Sequence, residues 1–413
     1  MSVRVLWVTA EAPDHERGGG SIRQAHLLDG LVRAGAEVDL LLAGTLSDPA
    51  VAGAVSSVEE VAVPPRRVPS RRAVRRARDV WRVAGARLPA EVADKRAERA
   101  VLGRALGDLR AGSVSGAQRY DVVHVEHLGL AGIVPEGLGR VRSVGVQNVP
   151  SRMAEQAAVL AVGRRQRLLL GAEAAAARRF QRRLTGATDV VAVVSEEDGR
   201  ELLAPAPTRP PAPPAPAVMI TPNGVDPDRF PVSPLPAGRS IVFTGTLDFL
   251  PNVDAVSWFA HQVLPLVRRR IREADLVVVG RRPVADVAAL AAIDGVTVHG
   301  DVPAVAPFLE ASRVAIVPVR IGTGSRVKAL EAMAAGRPVA GTTIGLEGID
   351  AQAGRDVLVG DSPVALAEAV VRLLDDDGLA AQVAGAGRRL VGTRYRWSEI
   401  ADAFASDLLG PLG

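Results

Sequence analysis

Short, nearly unbroken apolar runs recur along this chain, each bounded by Gly or Pro and separated from the next by stretches of helical spacing. The first set is Val3–Thr9, Glu37–Leu42, Val122–Glu126, Arg142–Val146 and Val190–Val194. After a break come Ser240–Phe243, Leu276–Val279, Val296–His299, Val314–Pro318 and Pro338–Ala340. A strand that is apolar on both sides must be covered on both faces, and intervening helices supply that cover, so the pattern predicts parallel sheets. Two sets predict an α/β protein of two Rossmann-like domains. At 413 residues the chain is long enough for two cores of about 150–200 residues each.

The segment Ala204–Ala217 is too rich in proline for a helix or a central strand and is expected as an extended loop before the last strand of the first half. The hinge is then expected near Pro231–Gly238, which gives domains at 1–230 and 231–395 and a terminal helical pattern over 396–413. No run of about 18 uncharged apolar residues is present, so no spanning helix is expected. The N-terminus enters a strand directly and shows no signal-peptide cleavage pattern. With no cysteine, disulfides and thiolate metal sites are excluded. Together these features predict a cytoplasmic protein.

The calculated pI of about 10.1 resembles that of a nucleic-acid binder, yet the net charge is only +4. Few lysines and tyrosines are available to buffer the alkaline range, so the pI floats upward without a strong field, and no nucleic-acid partner is expected. Of the 50 basic residues only Lys95 and Lys328 are lysines, and the only asparagines are Asn148, Asn223 and Asn252. Under such a bias a surviving Lys or Asn marks a position that its usual replacement does not serve. Arginines crowd two helical stretches, Arg66 to Arg87 and Arg164 to Arg183. Either these are solvated faces, or they form a peripheral contact with anionic membrane or phosphate-bearing acceptors.

Chemistry concentrates in residues 314–340, VAIVPVRIGTGSRVKALEAMAAGRPVA. A strand ends near Pro318, a turn follows at Gly322, Thr323 and Gly324, and a helix is expected from about Ser325 to Ala335, stopped by Gly336 and Pro338. Such a turn presents backbone N–H groups and the positive end of a helix dipole, which suits a phosphate. Ser325 could cap the helix. Arg326 and Lys328 add cations in the first turn, where they are unfavourable unless an anion lies between them. Lys328 and Glu331 lie three residues apart on one face. A helical turn rises about 5.4 Å, close to the offset between a diphosphate and its ribose. Lys328 could therefore hold phosphate while Glu331 accepts hydrogen bonds from ribose. A plain surface Lys–Glu pair is the alternative.

This stretch resembles the donor-site signature of retaining, two-domain (GT-B fold) glycosyltransferases of family 4. The likeness extends over nearly the whole chain: Gly18-Gly19-Gly20, Asp121-Val122-Val123-His124, Val194-Ser195-Glu196-Glu197-Asp198, Pro222-Asn223-Gly224-Val225-Asp226 and Phe243-Thr244-Gly245. A subgroup with GTGSRVKALEAMA, Gly245…Pro251-Asn252 and Gly345-Leu346-Glu347-Gly348 is the most similar. The resemblance implies two domains facing a central cleft. It assigns acceptor binding to 1–230, nucleotide-sugar binding to 231–395, and a terminal helix at 396–413 that packs back on the first domain. Sugar passes from a nucleotide-diphosphate sugar to an acceptor hydroxyl with retention, the leaving phosphate taking the acceptor's proton. Arg326, Lys328 and Glu331 would carry catalysis, and Gly245, Thr246, Gly322, Thr323, Gly324, Ser325 and Leu330 would complete the donor site. The co-substrate is the only cofactor, and no metal is required.

Two positions depart from the family. Thr323 stands where a first glutamate is common, and Thr246–Asn252 lacks the usual Arg and Lys, leaving Arg326 to supply that charge. In the first half, Gly19 and Gly20 fit either an ordinary loop or one facing the diphosphate and acceptor. His124, Glu126 and His127, at the C-terminal end of a strand, fit a polar strand-end cap, acceptor binding or a metal site. Asn148 follows Gln147 where many relatives carry a His, and neither amide can serve as a base. The acceptor is open between a small molecule and a lipid-linked or polysaccharide intermediate. A nucleotide-sugar epimerase and a catalytically impaired nucleotide-sugar-binding protein are the competing readings.

Overall fold

The computed structural model describes residues 2–16, 18–64, 95–112, 119–185, 187–204, 215–324 and 326–410. The arginine stretch from Arg66 to Arg87, most of the proline-rich segment 204–217, and Ser325 lie outside the described residues. The chain divides into two compact units, Met1–Pro222 with Ser398–Gly413, and Asn223–Trp397.

The first unit holds seven strands: β1 (Arg4–Thr9), β2 (Glu37–Ala43), β3 (Ser57–Val61), β4 (Tyr120–Glu126), β5 (Gly139–Val146), β6 (Val190–Val193) and β7 (Ala217–Ile220). They lie in the order β3-β2-β1-β4-β5-β6-β7, every pair parallel. The second unit holds β8 (Ser240–Thr246), β9 (Asp275–Arg281), β10 (Val296–Gly300), β11 (Val314–Val317), β12 (Val339–Gly341) and β13 (Leu358–Val359). Its order is β10-β9-β8-β11-β12-β13, again all parallel. The expected α/β architecture of two parallel sheets is therefore present. Two strands had no counterpart among those expected, β3 (SVEEV, mostly exposed) and the two-residue β13, too short to stand out; both are edge strands.

In each unit the strand order reverses once, between β1 and β4 and between β8 and β11. Open parallel sheets bind ligands beyond the carboxyl ends of strands at such a reversal. The helices that matter follow those strands: α1 (Gly19–Arg33), α2 (Pro49–Ala54), α3 (Pro150–Leu160), α4 (Arg164–Thr185), α5 (Leu250–Trp258) and α6 (Val327–Ala334). Residues Val327–Ala334, VKALEAMA, are mostly strong helix formers with one apolar face in the core. Gly336 ends α6 with a left-handed φ of 68°. Its N–H donates to Met333 O and that of Arg337 to Ala332 O, a Schellman close.

The last helix, α7 (Trp397–Leu409), packs in the first unit from Ser398 onward. Phe404 lies 6.1 Å from the Trp7 ring and 5.6 Å from the His124 ring. Gly30 of α1 faces the Ala401 backbone so closely that a β-carbon there would lie 2.3 Å from the Ala401 carbonyl oxygen. Among the described residues, no helix is long and apolar enough to cross a membrane.

Candidate functional site

In the second unit, the ends of β8 and β11 bring Gly245, Thr246, the Gly322-Thr323-Gly324 turn and the start of α6 to the strand-order reversal. Lys328 is fixed there from two sides. Its Nζ donates to Asn252 Oδ1 at 2.6 Å and sits 4.2 Å from the centre of the Phe243 ring, a cation–π distance. Asn252, on α5, is itself oriented by donating Nδ2 to Thr246 O at 2.9 Å. Only glycine fits at 245, because a β-carbon there would come within 2.8 Å of Lys328 Nζ and 2.9 Å of Asn252 Nδ2.

Arg326 is the N-cap residue of α6, so the helix begins at Val327, two positions after the start expected at about Ser325. Its guanidinium donates to the Thr323 carbonyl and, through Nη2, to Ile344 O at 3.2 Å. A β-carbon at Gly322 would lie 2.6 Å from that Nη2, so the glycine turn makes room for the arginine. Thr323 is buried, and Leu330 is wholly buried in the core. Leu330 thus supports the helix from behind.

Lys328 and Glu331 are partly buried, and burial is the main cause of both their shifts. Burial, reinforced by the adjacent Arg326 charge and only partly offset by Glu331, brings the Lys328 ammonium down to about 7. Burial also pushes the Glu331 carboxyl up to about 7, against the pull of Lys328 and Arg229. Arg326 and Lys328 thus hold two basic groups together at a helix N-terminus, an arrangement that suits an anion.

In the first unit, a polar network occupies the carboxyl ends of β1, β4 and β5. His124 and Glu126 are wholly buried. His124 contacts Ser143 Oγ at 3.0 Å through Nδ1 and Glu126 Oε2 at 3.1 Å through Nε2, and it stacks on Trp7 with 4.2 Å between ring centres. Burial alone would raise Glu126. The His124 hydrogen bond and the charges of His124 and Arg23 overcome it and hold the carboxyl at about 2. Glu126 Oε1 accepts from Gln147 Nε2 at 2.8 Å, so the buried pair orients the half-buried Gln147.

Gly19 and Gly20 are the first residues of α1, behind Gly18 with φ 77°. A β-carbon on Gly20 would lie 2.8 Å from Glu11 Oε2 and 3.2 Å from Gln147 Oε1. Glu11 in turn meets His127 Nε2 at 3.1 Å and accepts from Ser21 Oγ at 3.1 Å. The glycine loop therefore admits Glu11, which no sequence motif singled out, beside His127 and Gln147. Asn148 follows Gln147 and is half-buried.

Superposition on solved structures decides the architecture. Sucrose-phosphate synthase from Thermosynechococcus elongatus matches with a TM-score of 0.67 at 17% identity, covering 99% of this chain and 98% of that one. Anabaena HepE in complex with UDP and glucose matches with a TM-score of 0.63 at 12% identity, covering 99% and 100%. The fold is GT-B.

Within this GT-B chain, residues 238–376 match the family model described as glycosyl transferases group 1. The matched stretch contains Gly245, Asn252, Arg326, Lys328 and Glu331. The chain is 33% identical over 261 residues to the GDP-mannose-dependent alpha-(1-6)-phosphatidylinositol monomannoside mannosyltransferase of Mycobacterium tuberculosis, in two strains. That alignment covers 57% of this chain and 65% of the relative's length. Asn252 contacts Lys328 although the motif that contains it, Gly245…Pro251-Asn252, gave it no role; its rarity in an Asn-poor chain was the further signal. Phe243 carried no such signal, because an aromatic in a central strand reads as core.

Proposed function

We propose that the chain is a retaining hexosyltransferase that moves a sugar from a nucleotide-diphosphate sugar to an acceptor hydroxyl. The observation that carries this reading is the anion site at α6, where Arg326 and Lys328 flank the glycine turn and Asn252 and Phe243 hold the lysine. The group 1 match over 238–376 supports it. In this reading the diphosphate lies against the first turn of α6, with Glu331 toward the ribose. The bond from C1 to the leaving phosphate oxygen breaks as the acceptor oxygen bonds C1 from the same face, and the acceptor's proton passes to that phosphate oxygen. Arg326, Lys328 and the helix amides stabilise the charge growing on the diphosphate, with no cofactor beyond the donor.

For the acceptor we favour a lipid-linked molecule, as in the name of the mycobacterial relatives. The turn between α3 and α4 exposes Val159 at 82%, Val162 at 95% and Leu168 at 75%, beside Arg164, Arg165 and Arg167. Apolar side chains ringed by arginines suit peripheral attachment to an anionic bilayer, and the cysteine-free composition suits a reducing, cytoplasmic side. The test is turnover with GDP-mannose and with UDP-glucose on vesicles containing phosphatidylinositol or its mannosides. Glycosylated lipid is identified by mass spectrometry and its anomeric configuration by NMR. A new α-linked product supports the reading. Donor isomerisation without acceptor would indicate an epimerase, and donor binding without turnover across acceptors would indicate a binding protein.

A further inference from the structure

A second cluster of chemistry-bearing side chains, in the first unit, plays no part in the proposed transfer. His26 and Asp29 lie one turn apart on α1, and the preceding loop lays His15 over them. His15 Nε2 is 2.8 Å from Asp29 Oδ2, and His26 Nδ1 is 4.0 Å from the same oxygen. The three ligand atoms all lie within 4.8 Å of one another. Each side chain is about a quarter exposed, at 23%, 20% and 27% for His15, His26 and Asp29, so the cluster is open to small solutes.

We propose that His15 Nε2, His26 Nδ1 and an Asp29 carboxylate oxygen form a zinc site, with water in the fourth position. Two nitrogens and a carboxylate make a donor set typical of Zn2+. Ligand atoms about 2.1 Å from a tetrahedral zinc stand about 3.4 Å apart. The two nitrogen–oxygen distances, 2.8 and 4.0 Å, bracket that value, and all three ligand atoms lie within 4.8 Å, so side-chain adjustment without backbone movement can complete the site.

The support behind His15 points the same way. Its other nitrogen, Nδ1, is 2.7 Å from Asp48 Oδ2. Asp48 is fixed by accepting the backbone N–H groups of His15 at 2.9 Å and Ala50 at 2.8 Å, as the N-cap residue of α2. A carboxylate on the far nitrogen sets the histidine tautomer and presents Nε2 to a metal, the usual outer-shell arrangement of zinc ligands. Bound zinc would tie the segment leading to the Gly18–Gly20 loop onto α1.

The test uses the full-length chain, freed of any affinity tag and treated with chelator, titrated with Zn2+ alone by calorimetry and with Co2+ alone by visible absorption. One equivalent of Zn2+ is expected, with a tetrahedral Co2+ band. His15→Ala and His26→Ala are each expected to weaken binding at least about tenfold, and Asp48→Asn by about tenfold or more through the outer shell. His261→Ala, an exposed histidine of the second unit, is the control and should bind as wild type. If His15→Ala fails to fold, the His26→Ala and Asp48→Asn results decide. Absence of saturable binding by the wild type, or binding undiminished in His26→Ala and Asp48→Asn, overturns the proposal and leaves His15 as a side chain hydrogen-bonded between two carboxylates.

Discussion

Lys328 combines three features that ordinary surface lysines lack: a fixed hydrogen-bond acceptor in Asn252, an aromatic face beneath it in Phe243, and a second cation beside it in Arg326. Lys328 falls from 10.5 to about 7, so its contribution to stability is present above 10.5 and lost as pH falls through 7. Glu331 rises from 4.5 to about 7, so its contribution is present below 4.5 and lost as pH rises through 7. The pair therefore helps the empty fold least near neutrality, where a bound diphosphate would help most. Because an anion favours the ammonium form, donor binding should take up a proton above pH 7. Calorimetry in buffers of different ionisation enthalpy should show uptake approaching one proton at about pH 8.5 and close to none at about pH 6. Asn252→Ala removes the acceptor that positions Lys328, a charged hydrogen bond worth about 1.5–3 kcal/mol, so donor affinity should fall roughly 10–100-fold in a thermal-shift titration.

At the scale of elements, the central strands were legible because burial on both faces leaves an unbroken apolar run, as in Val5-Leu6-Trp7-Val8 and Val314–Val317. The edge strand β3 was not, since Ser57–Val61 is exposed on both faces, carries no apolar run and reads as loop. For α6 the helix formers and the Gly336 stop were plain, but its cap was set by the glycine turn, whose geometry no local propensity encodes. The contacts Asn252 to Lys328 in the second unit and Glu11 to His127 in the first join residues 76 and 116 positions apart, which spacing within a motif cannot reveal. The α3–α4 turn was read from its arginines, whereas its exposed valines and leucine emerged only with the fold. Val162→Glu with Leu168→Glu should weaken binding to phosphatidylinositol vesicles by about tenfold or more in a sedimentation assay, through lost apolar insertion and added repulsion. The donor-induced thermal shift should stay unchanged.

At the scale of the whole molecule, each unit has its own sheet and its own strand-order reversal, and the last helix returns to the first unit. Phe404 of that helix is buried against Trp7 and His124. Phe404→Ala should therefore destabilise the first unit by about 3–5 kcal/mol, measured by urea unfolding followed by circular dichroism. Both sheets place polar side chains where open parallel sheets bind ligands, and the second sets Arg326 and Lys328 at the helix start that follows such a strand. The account as a whole stands on that anion site. The most direct measurement is calorimetric titration of GDP-mannose and UDP-glucose into the wild-type chain and into Lys328→Ala at about pH 6.5, below the midpoint of the lysine. The account predicts saturable binding of at least one donor by the wild type and affinity weaker by about 10–100-fold in the variant. Equal affinity in the two proteins would contradict it.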